Sequence, residues 1–258
     1  MEIEFHKYQG TGNDFIMLDC RKTPDLMLSN NQIQQLCNRR FGIGADGLIQ
    51  IFDHLSNDFE MRYFNADGSR SFCGNGARCA VQFSYKLGLF KGKAKFLAID
   101  GEHEAELVDN SIALKMSDVS VWENNEDHFI IDTGSPHYIK FVDQLSEYDI
   151  VDFGKSIRYS EKYKAFGINV NLVETVAKNS LSMATYERGV EDETLSCGTG
   201  ATAVALAFML KNELKGKLEV QIKVKGGNLK VEASKAESFT NIYLIGPAKS
   251  VFHGRVSI

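Results

Sequence analysis

Two kinds of hydrophobic spacing run along this chain. Apolar and polar residues alternate over 58–64, 94–99 and 221–225, the period-two signature of short strands with one buried face. Over 76–87 and 200–213 the spacing turns helical, and each of these stretches opens on a Gly-x-Gly turn. Ala201-Thr202-Ala203-Val204-Ala205-Leu206 is apolar nearly all round, so a helix there has no solvent face and must be enclosed. Ala77-Arg78-Cys79-Ala80-Val81-Gln82-Phe83 is its counterpart upstream, and Gly88 and Gly216 stand where the two helices are expected to end. The pattern predicts an α+β protein in which a mostly antiparallel, barrel-like sheet wraps a central helix, twice over.

The doubling shows in the words themselves. Gly10-Thr11-Gly12-Asn13-Asp14-Phe15 resembles Asp132-Thr133-Gly134-Ser135-Pro136-His137, with Gly134 lying 122 residues after Gly12. Phe41-Gly42-Ile43-Gly44 resembles Phe166-Gly167-Ile168-Asn169 at an offset of 125, and Tyr63-Phe64-Asn65 faces Thr185-Tyr186-Glu187 at 122. Cys73-Gly74-Asn75-Gly76-Ala77 matches Cys197-Gly198-Thr199-Gly200-Ala201 at 124. Any one pair is weak, but four in one order at nearly one spacing point to duplication. The expected halves are residues 1–116, carrying Cys73 with 247–258 returning to them, and residues 117–246, carrying Cys197. Two pseudo-symmetric domains would then place the active site in the cleft between them.

Composition narrows the partners. The net charge of −5 and pI near 5.7 leave no clustered Lys and Arg for nucleic acid or an anionic membrane surface, so a small-molecule partner is expected. No stretch reaches membrane-spanning length, and the start lacks a basic region followed by an apolar one, which predicts a soluble cytoplasmic protein. Five cysteines, at 20, 37, 73, 79 and 197, are an odd number and suit a reducing compartment better than a disulfide scaffold. The Cys73 and Cys79 spacing fits no zinc template, and neither glycine-rich turn has the P-loop lysine or full Rossmann spacing, so neither metal nor cofactor is expected.

A cysteine placed just before a glycine-rich helix entry carries chemistry. Unpaired N–H groups and the positive dipole end favour an anion there, and glycine lets it come close. The same field favours thiolate over thiol. Inverting a stereocentre needs a base on one face and an acid on the other, which a duplicated thiol would supply as thiolate and thiol. Cys20, Cys37 and Cys79 precede no such turn and read as small core residues. His137 falls at the repeat position of the first glycine-rich turn, and the Glu187-Arg188 pair falls opposite Asn65, which raises both above ordinary structural or surface roles. A Cys-His hydrolase or acyl-transferase would explain one cysteine motif but not two, and a non-catalytic amino-acid-binding module would explain neither thiol.

Taken together, the words Gly10 to Phe15, Gly42-Ile43-Gly44-Ala45-Asp46-Gly47, Phe64-Asn65-Ala66-Asp67-Gly68-Ser69, Cys73 to Arg78, Gly167 to Val170, Tyr186-Glu187-Arg188-Gly189 and Cys197 to Ala201 resemble the bacterial diaminopimelate epimerases over essentially the whole length. The resemblance implies an isomerase that interconverts LL- and meso-diaminopimelate in lysine and peptidoglycan-precursor synthesis, without pyridoxal phosphate or metal. It implies Cys73 and Cys197 as base and acid, with Gly74, Asn75, Gly198 and Thr199 presenting N–H groups to the reacting carboxylate. Asn13 and Glu187 are then expected near the reacting ammonium, Asn65, Asn169 and Arg188 near the distal end, and His137 with Glu187 as the pair tuning the thiols. Many relatives carry Asn where this chain has Ser135, so a contact to substrate there would be shorter or bridged by water. The alternative within the fold is a proline or hydroxyproline racemase-epimerase, which needs no distal clamp. A homodimer is the base-rate expectation for assembly.

Overall fold

The computed structural model describes residues 2–257. The chain divides into two compact units, one made of residues 1–114 with 246–258, the other of residues 115–245.

The first unit opens with a hairpin of β1 (Glu2–Gly10) and β2 (Asn13–Asp19), turned by Thr11 and Gly12 at positive φ. Helix α1 (Asn30–Cys37), started by a Ser29–Gln32 capping box, carries the chain back so that β3 (Gly47–Phe52) lies parallel to β2. Strand β4 (Phe59–Asn65) returns antiparallel. Helix α2 (Gly74–Lys86) is the second crossover, after which β5 (Lys93–Ala98) joins β4 in parallel. Strands β6 (Gly101–Val108) and β7 (Ser111–Lys115) follow antiparallel. The C-terminal strand, Lys249–Ser257, pairs antiparallel with β1.

The second unit repeats this order. Strand β8 (Trp122–Asn124) pairs with β9 (Phe129–Asp132), which forms a hairpin with β10 (Pro136–Val142). Helix α3 (Ile150–Arg158), capped by Asp149, leads to β11 (Asn169–Ala177) parallel to β10. Strand β12 (Ser180–Glu187) runs antiparallel, and the two-residue β13 (Asp192–Glu193) pairs with its end. Helix α4 (Gly198–Lys211) crosses to β14 (Gly216–Val224), parallel to β12, and β15 (Gly227–Lys235) and β16 (Phe239–Pro247) complete the ladder. The architecture is α+β and internally duplicated, with parallel pairs wherever a helix crosses over.

The central helices sit where their composition requires. In α4 every residue from Gly200 to Met209 is buried, and in α2 burial runs from Asn75 to Val81. The ladders also correct the repeat. Phe15 faces Gly47 across β2 and β3, and His137 faces Asn169 across β10 and β11, so Asn169 matches Gly47 at an offset of 122. The Phe-Gly-Ile words, aligned at 125, lie in loops outside the ladders. Conformation also sets the 125 alignment aside, since Gly167 (φ 72°) behaves like Gly44 (φ 78°), 123 residues earlier and within one residue of the ladder offset, whereas Gly42 has no positive φ. The helix ends divide too. Gly88 (φ 77°) closes α2, with Leu89 N–H donating to Ser84 C=O at 3.1 Å. Glu213 takes the left-handed position after α4 (φ 52°), and Gly216 opens β14 instead.

Candidate active site

In the first unit, Cys73 is the N-cap of α2, extended at φ −134°, ψ 114°. Its Sγ accepts from Gly76 N–H at 3.4 Å, and the intrahelical ladder begins with Ala77 N–H donating to Cys73 C=O at 2.8 Å. The N–H groups of Gly74 and Asn75 come before that first bond, where a helix offers donors to an anion. Asn75 Nδ2 donates to Asn13 Oδ1 (2.5 Å), and Asn13 Nδ2 donates to Asp46 Oδ2 (3.1 Å), so three chain segments fix one another's side chains. Beneath them Asp14 meets Lys7 at 2.7 Å and both terminal nitrogens of Arg39 at 2.7 and 3.0 Å. Burial raises the Asp14 carboxyl, but the hydrogen bonds and charges of Arg39 and Lys7 outweigh it and hold the group at about 2. Asn65, at the end of β4, donates to the Ser69 hydroxyl at 2.9 Å and the Ser71 hydroxyl at 3.2 Å.

One turn into α2 lies Arg78, which is fully buried. Its Nη2 donates to Thr11 Oγ1 at 2.8 Å, while Nε and Nη1 have no acceptor among the described residues. Burial lowers its pKa, opposed by Cys79 and Cys73 as negative groups. An arginine stays charged in proteins, so this is a resident cation on the helix that Cys73 caps.

In the second unit Cys197 caps α4, and it is 6% exposed. Its Sγ lies 3.5 Å from Thr199 Oγ1, which lies 2.9 Å from Nε2 of His137. The other ring nitrogen, Nδ1, meets Asn171 Nδ2 at 3.1 Å. His137 therefore reaches a thiol through a hydroxyl. Burial, followed by the Arg188 charge, pushes its imidazole down to about 3, so it is neutral. Asn169 Nδ2 donates to Ser135 Oγ (2.6 Å) and Pro136 C=O (3.1 Å), and its Oδ1 accepts from Arg188 N–H (2.9 Å). Ser135 thus props Asn169. The Arg188 guanidinium spends one donor on Phe166 C=O at 3.0 Å. Glu187 ends β12 one residue before Arg188.

The remaining thiols behave as core. Burial pushes Cys20 and Cys37 up to about 11 and Cys79 up to about 12. Among the described residues no group of three or more His, Cys, Asp or Glu side chains is placed to hold a metal ion, and no helix is long and apolar enough to cross a membrane. A cavity of about 540 Å³ in the second unit, lined by Tyr148, Ile150, Leu172 and Met183 among others, touches none of the candidate residues. Arg78, Asn171 and Thr185 are not among the residues that the sequence motifs assign to the site. Asn171 left a trace, because Asn169 and Asn171 share one face of a strand start that is otherwise apolar through Val173.

The diaminopimelate epimerase family model matches residues 5–122 and 129–251. The chain belongs to the diaminopimelate epimerase family. It is 47% identical over 253 residues to the diaminopimelate epimerase of Flavobacterium psychrophilum, spanning 97% of this chain and 98% of that protein. The Chlorobaculum tepidum diaminopimelate epimerase is 40% identical over 96% of this chain and 99% of its own. As a member of the diaminopimelate epimerase family the chain is an isomerase. Solved structures carry the fold further. A PhzF-family phenazine biosynthesis protein of Bacillus anthracis superposes with TM-score 0.77 at 15% identity, covering 100% of both chains. A hydroxyproline epimerase from Agrobacterium vitis gives 0.69 at 13% identity, covering 99% of this chain and 91% of that one. At such identities these show a shared fold alone.

Proposed function

We propose that the chain interconverts LL- and meso-2,6-diaminopimelate, with Cys73 and Cys197 as the two proton-transfer groups and no pyridoxal phosphate or metal. One thiolate takes the α-proton and becomes a thiol. The electron pair left on carbon is held next to the α-carboxylate, and the other thiol delivers its proton to the opposite face and becomes the thiolate. Turnover in the reverse direction restores the first state.

The observation that carries this reading is that each cysteine is the N-cap of a largely buried helix with glycine at its first and third positions and no acidic residue in its first turn. Each thiol therefore comes with its own carboxylate-binding helix end, through Gly74 and Asn75 in one unit and Gly198 and Thr199 in the other, and both stabilise charge developing beside the α-carbon. Asn13 and Glu187 are assigned to the reacting ammonium, and Asn65, Asn169 and Arg188 to the distal end. Arg188 keeps donors beyond the one it gives Phe166, enough to clamp a carboxylate bidentately, which a proline-type substrate would leave unused. The cytoplasm is the proposed compartment, in keeping with thiol chemistry and three buried core thiols, and two copies of the chain are the proposed assembly.

Incubating the purified chain with LL-diaminopimelate in heavy water should epimerise it and deuterate the α-carbon. Cys73→Ala and Cys197→Ala should each lower epimerisation by about 10³-fold, and each should retain α-deuterium exchange for only one of the two configurations, opposite in the two variants. Exchange of the same configuration by both variants would overturn the acid and base assignment, and turnover of proline without turnover of LL-diaminopimelate would overturn the substrate.

A further inference from the structure

Behind Cys197 runs a chain of hydrogen bonds whose directions can be worked out. It starts at Asn171, the third residue of β11. Its side chain touches three groups: Tyr138 C=O at 3.1 Å, His137 Nδ1 at 3.1 Å and Thr185 Oγ1 at 3.0 Å. A carbonyl only accepts, so the atom facing Tyr138 must be the amide nitrogen, and the orientation of Asn171 follows from chemistry. That NH₂ group has a second proton, and it points at His137 Nδ1. The amide oxygen accepts from Thr185, which sits directly opposite on β12.

A ring nitrogen facing an N–H must be the unprotonated one. The proton of the neutral imidazole therefore sits on Nε2 and is donated to Thr199 Oγ1 at 2.9 Å. Thr199 Oγ1 has one proton of its own, and with a lone pair taken by His137 that proton can turn to Cys197 Sγ at 3.5 Å, where it must be the donor whenever the sulfur is a thiolate. The backbone is shaped for this contact. A Cβ at Gly200 would lie 2.8 Å from Asn171 Oδ1 and 3.2 Å from His137 Cε1, so only glycine lets the helix start settle onto the pair.

We propose that Asn171 is a positioning residue for Cys197: by donating to Nδ1 it locks His137 in the Nε2–H form, and His137 in turn holds the Thr199 hydroxyl as a donor to the Cys197 sulfur. His137 then neither takes nor gives a proton during turnover. Such a fixed donor stabilises the thiolate when Cys197 has lost its proton, and it leaves the proton count of the two-thiol reaction intact. The inference rests on Cys197 being one of the proton-transfer groups.

The test has two readouts that need no turnover. Nitrogen-15 NMR of the imidazole should show His137 in wild type protonated at Nε2 and bare at Nδ1. Alkylation of Cys197 by iodoacetamide at fixed pH, read by peptide mass spectrometry with Cys73 of the same molecules as reference, reports the thiolate. Thr199→Val keeps the shape and removes the hydroxyl, and should slow Cys197 alkylation about tenfold, the worth of one hydrogen bond to a charged group. Thr199→Ser should restore the rate to within about twofold, because it restores that same bond. Asn171→Asp offers Nδ1 an acceptor, should move the imidazole proton to Nδ1, and should add nothing to Thr199→Val. An Nδ1–H tautomer in wild type would overturn the proposal, and that measurement does not depend on any variant folding. So would wild-type alkylation of Cys197 in Thr199→Val. Failure of the underlying function would look different: epimerisation would survive Cys197→Ala while the tautomer stayed as stated.

Discussion

The two units place a cysteine on the same backbone and surround it with opposite chemistry. A Cβ at Gly76 would meet Ile49 Cδ1 at 3.1 Å and Phe15 Cε1 at 3.4 Å, whereas the matching Gly200 looks onto Asn171 and His137. Phe15 and His137 occupy the same ladder position, as do Ile49 and Asn171. Tyr63 packs edge-on to Phe15 in one unit, while Thr185 hydrogen-bonds Asn171 in the other. Arg78 is matched by Thr202, whose hydroxyl donates back to Gly198 C=O at 3.0 Å. Duplication therefore kept the glycine-rich helix start that each cysteine caps, and diverged in the side chains packed beneath it. One thiol has an apolar floor and a buried arginine on the helix it caps, the other a polar floor and a threonine in that arginine's place.

Acid should separate the units, and this is the largest effect expected. His137 is held neutral down to about pH 3 in the folded chain but titrates near 6.5 when unfolded. The unfolded state therefore binds the extra proton first, and stability falls as pH drops below 6.5, by about 2 to 3 kcal/mol at pH 4.5. Phe15 puts no titratable group at the matching position of the first unit, where only the half-buried His6 on β1 is lowered by burial among the described histidines. Its own acid weakness is Asp14, whose folded value of about 2 lies below its unfolded 3.8. That contribution is intact above pH 4 and is lost toward pH 2, worth about 1 kcal/mol once screening of the exposed Arg39 is allowed for. Urea titrations from pH 7 to 3 should show the first slope in wild type and lose most of it in His137→Gln, the remainder belonging to His6. An unchanged slope in that variant would mean that His137 is charged or solvated in the native state.

Next in size is the response to a methyl group at the helix starts. Gly76→Ala presses on the ends of two movable apolar side chains, but Gly200→Ala drives Cβ into the Asn171 oxygen, which Thr185 holds in place. The first should cost about 1 kcal/mol and the second about 2 to 3 kcal/mol in urea unfolding. Equal costs would show that the polar floor is as yielding as the apolar one.

The glycine-rich entries and the apolar helix they open were legible in the sequence because both are local: Cys197-Gly198-Thr199-Gly200 names a turn, and the ten consecutive buried residues from Gly200 to Met209 follow from having no polar face. The polar floor was not. Asn171 finds Thr185 only through the β11–β12 register, and His137 only through the parallel β10–β11 pair, which is formed across a 26-residue connection. Register also explains the misaligned Phe-Gly-Ile words, since loops outside a ladder keep motifs but not spacing. Gly216 looked like a helix end because it follows α4 closely, yet Glu213 accepted the strained position first. Arg78 was hidden by a good rule, that arginine is almost never fully buried without a partner.

That exception gives the sharpest and smallest prediction. A buried guanidinium with two nitrogens that find no acceptor among the described residues costs free energy, so replacing it by an apolar side chain of similar length should leave stability equal or higher. What Arg78→Met should lose is the positive charge near Cys73. Iodoacetamide labelling of Cys73 should slow about tenfold, the equivalent of one pKa unit in the thiol. Cys197, on the other unit's helix, should keep its rate, and Arg78→Lys should preserve most of the Cys73 rate because it preserves the charge. If Met and Lys slowed Cys73 equally, Arg78 would be acting through packing. The difference between the two thiols would then lie in their floors, apolar beneath one and hydrogen-bonded beneath the other.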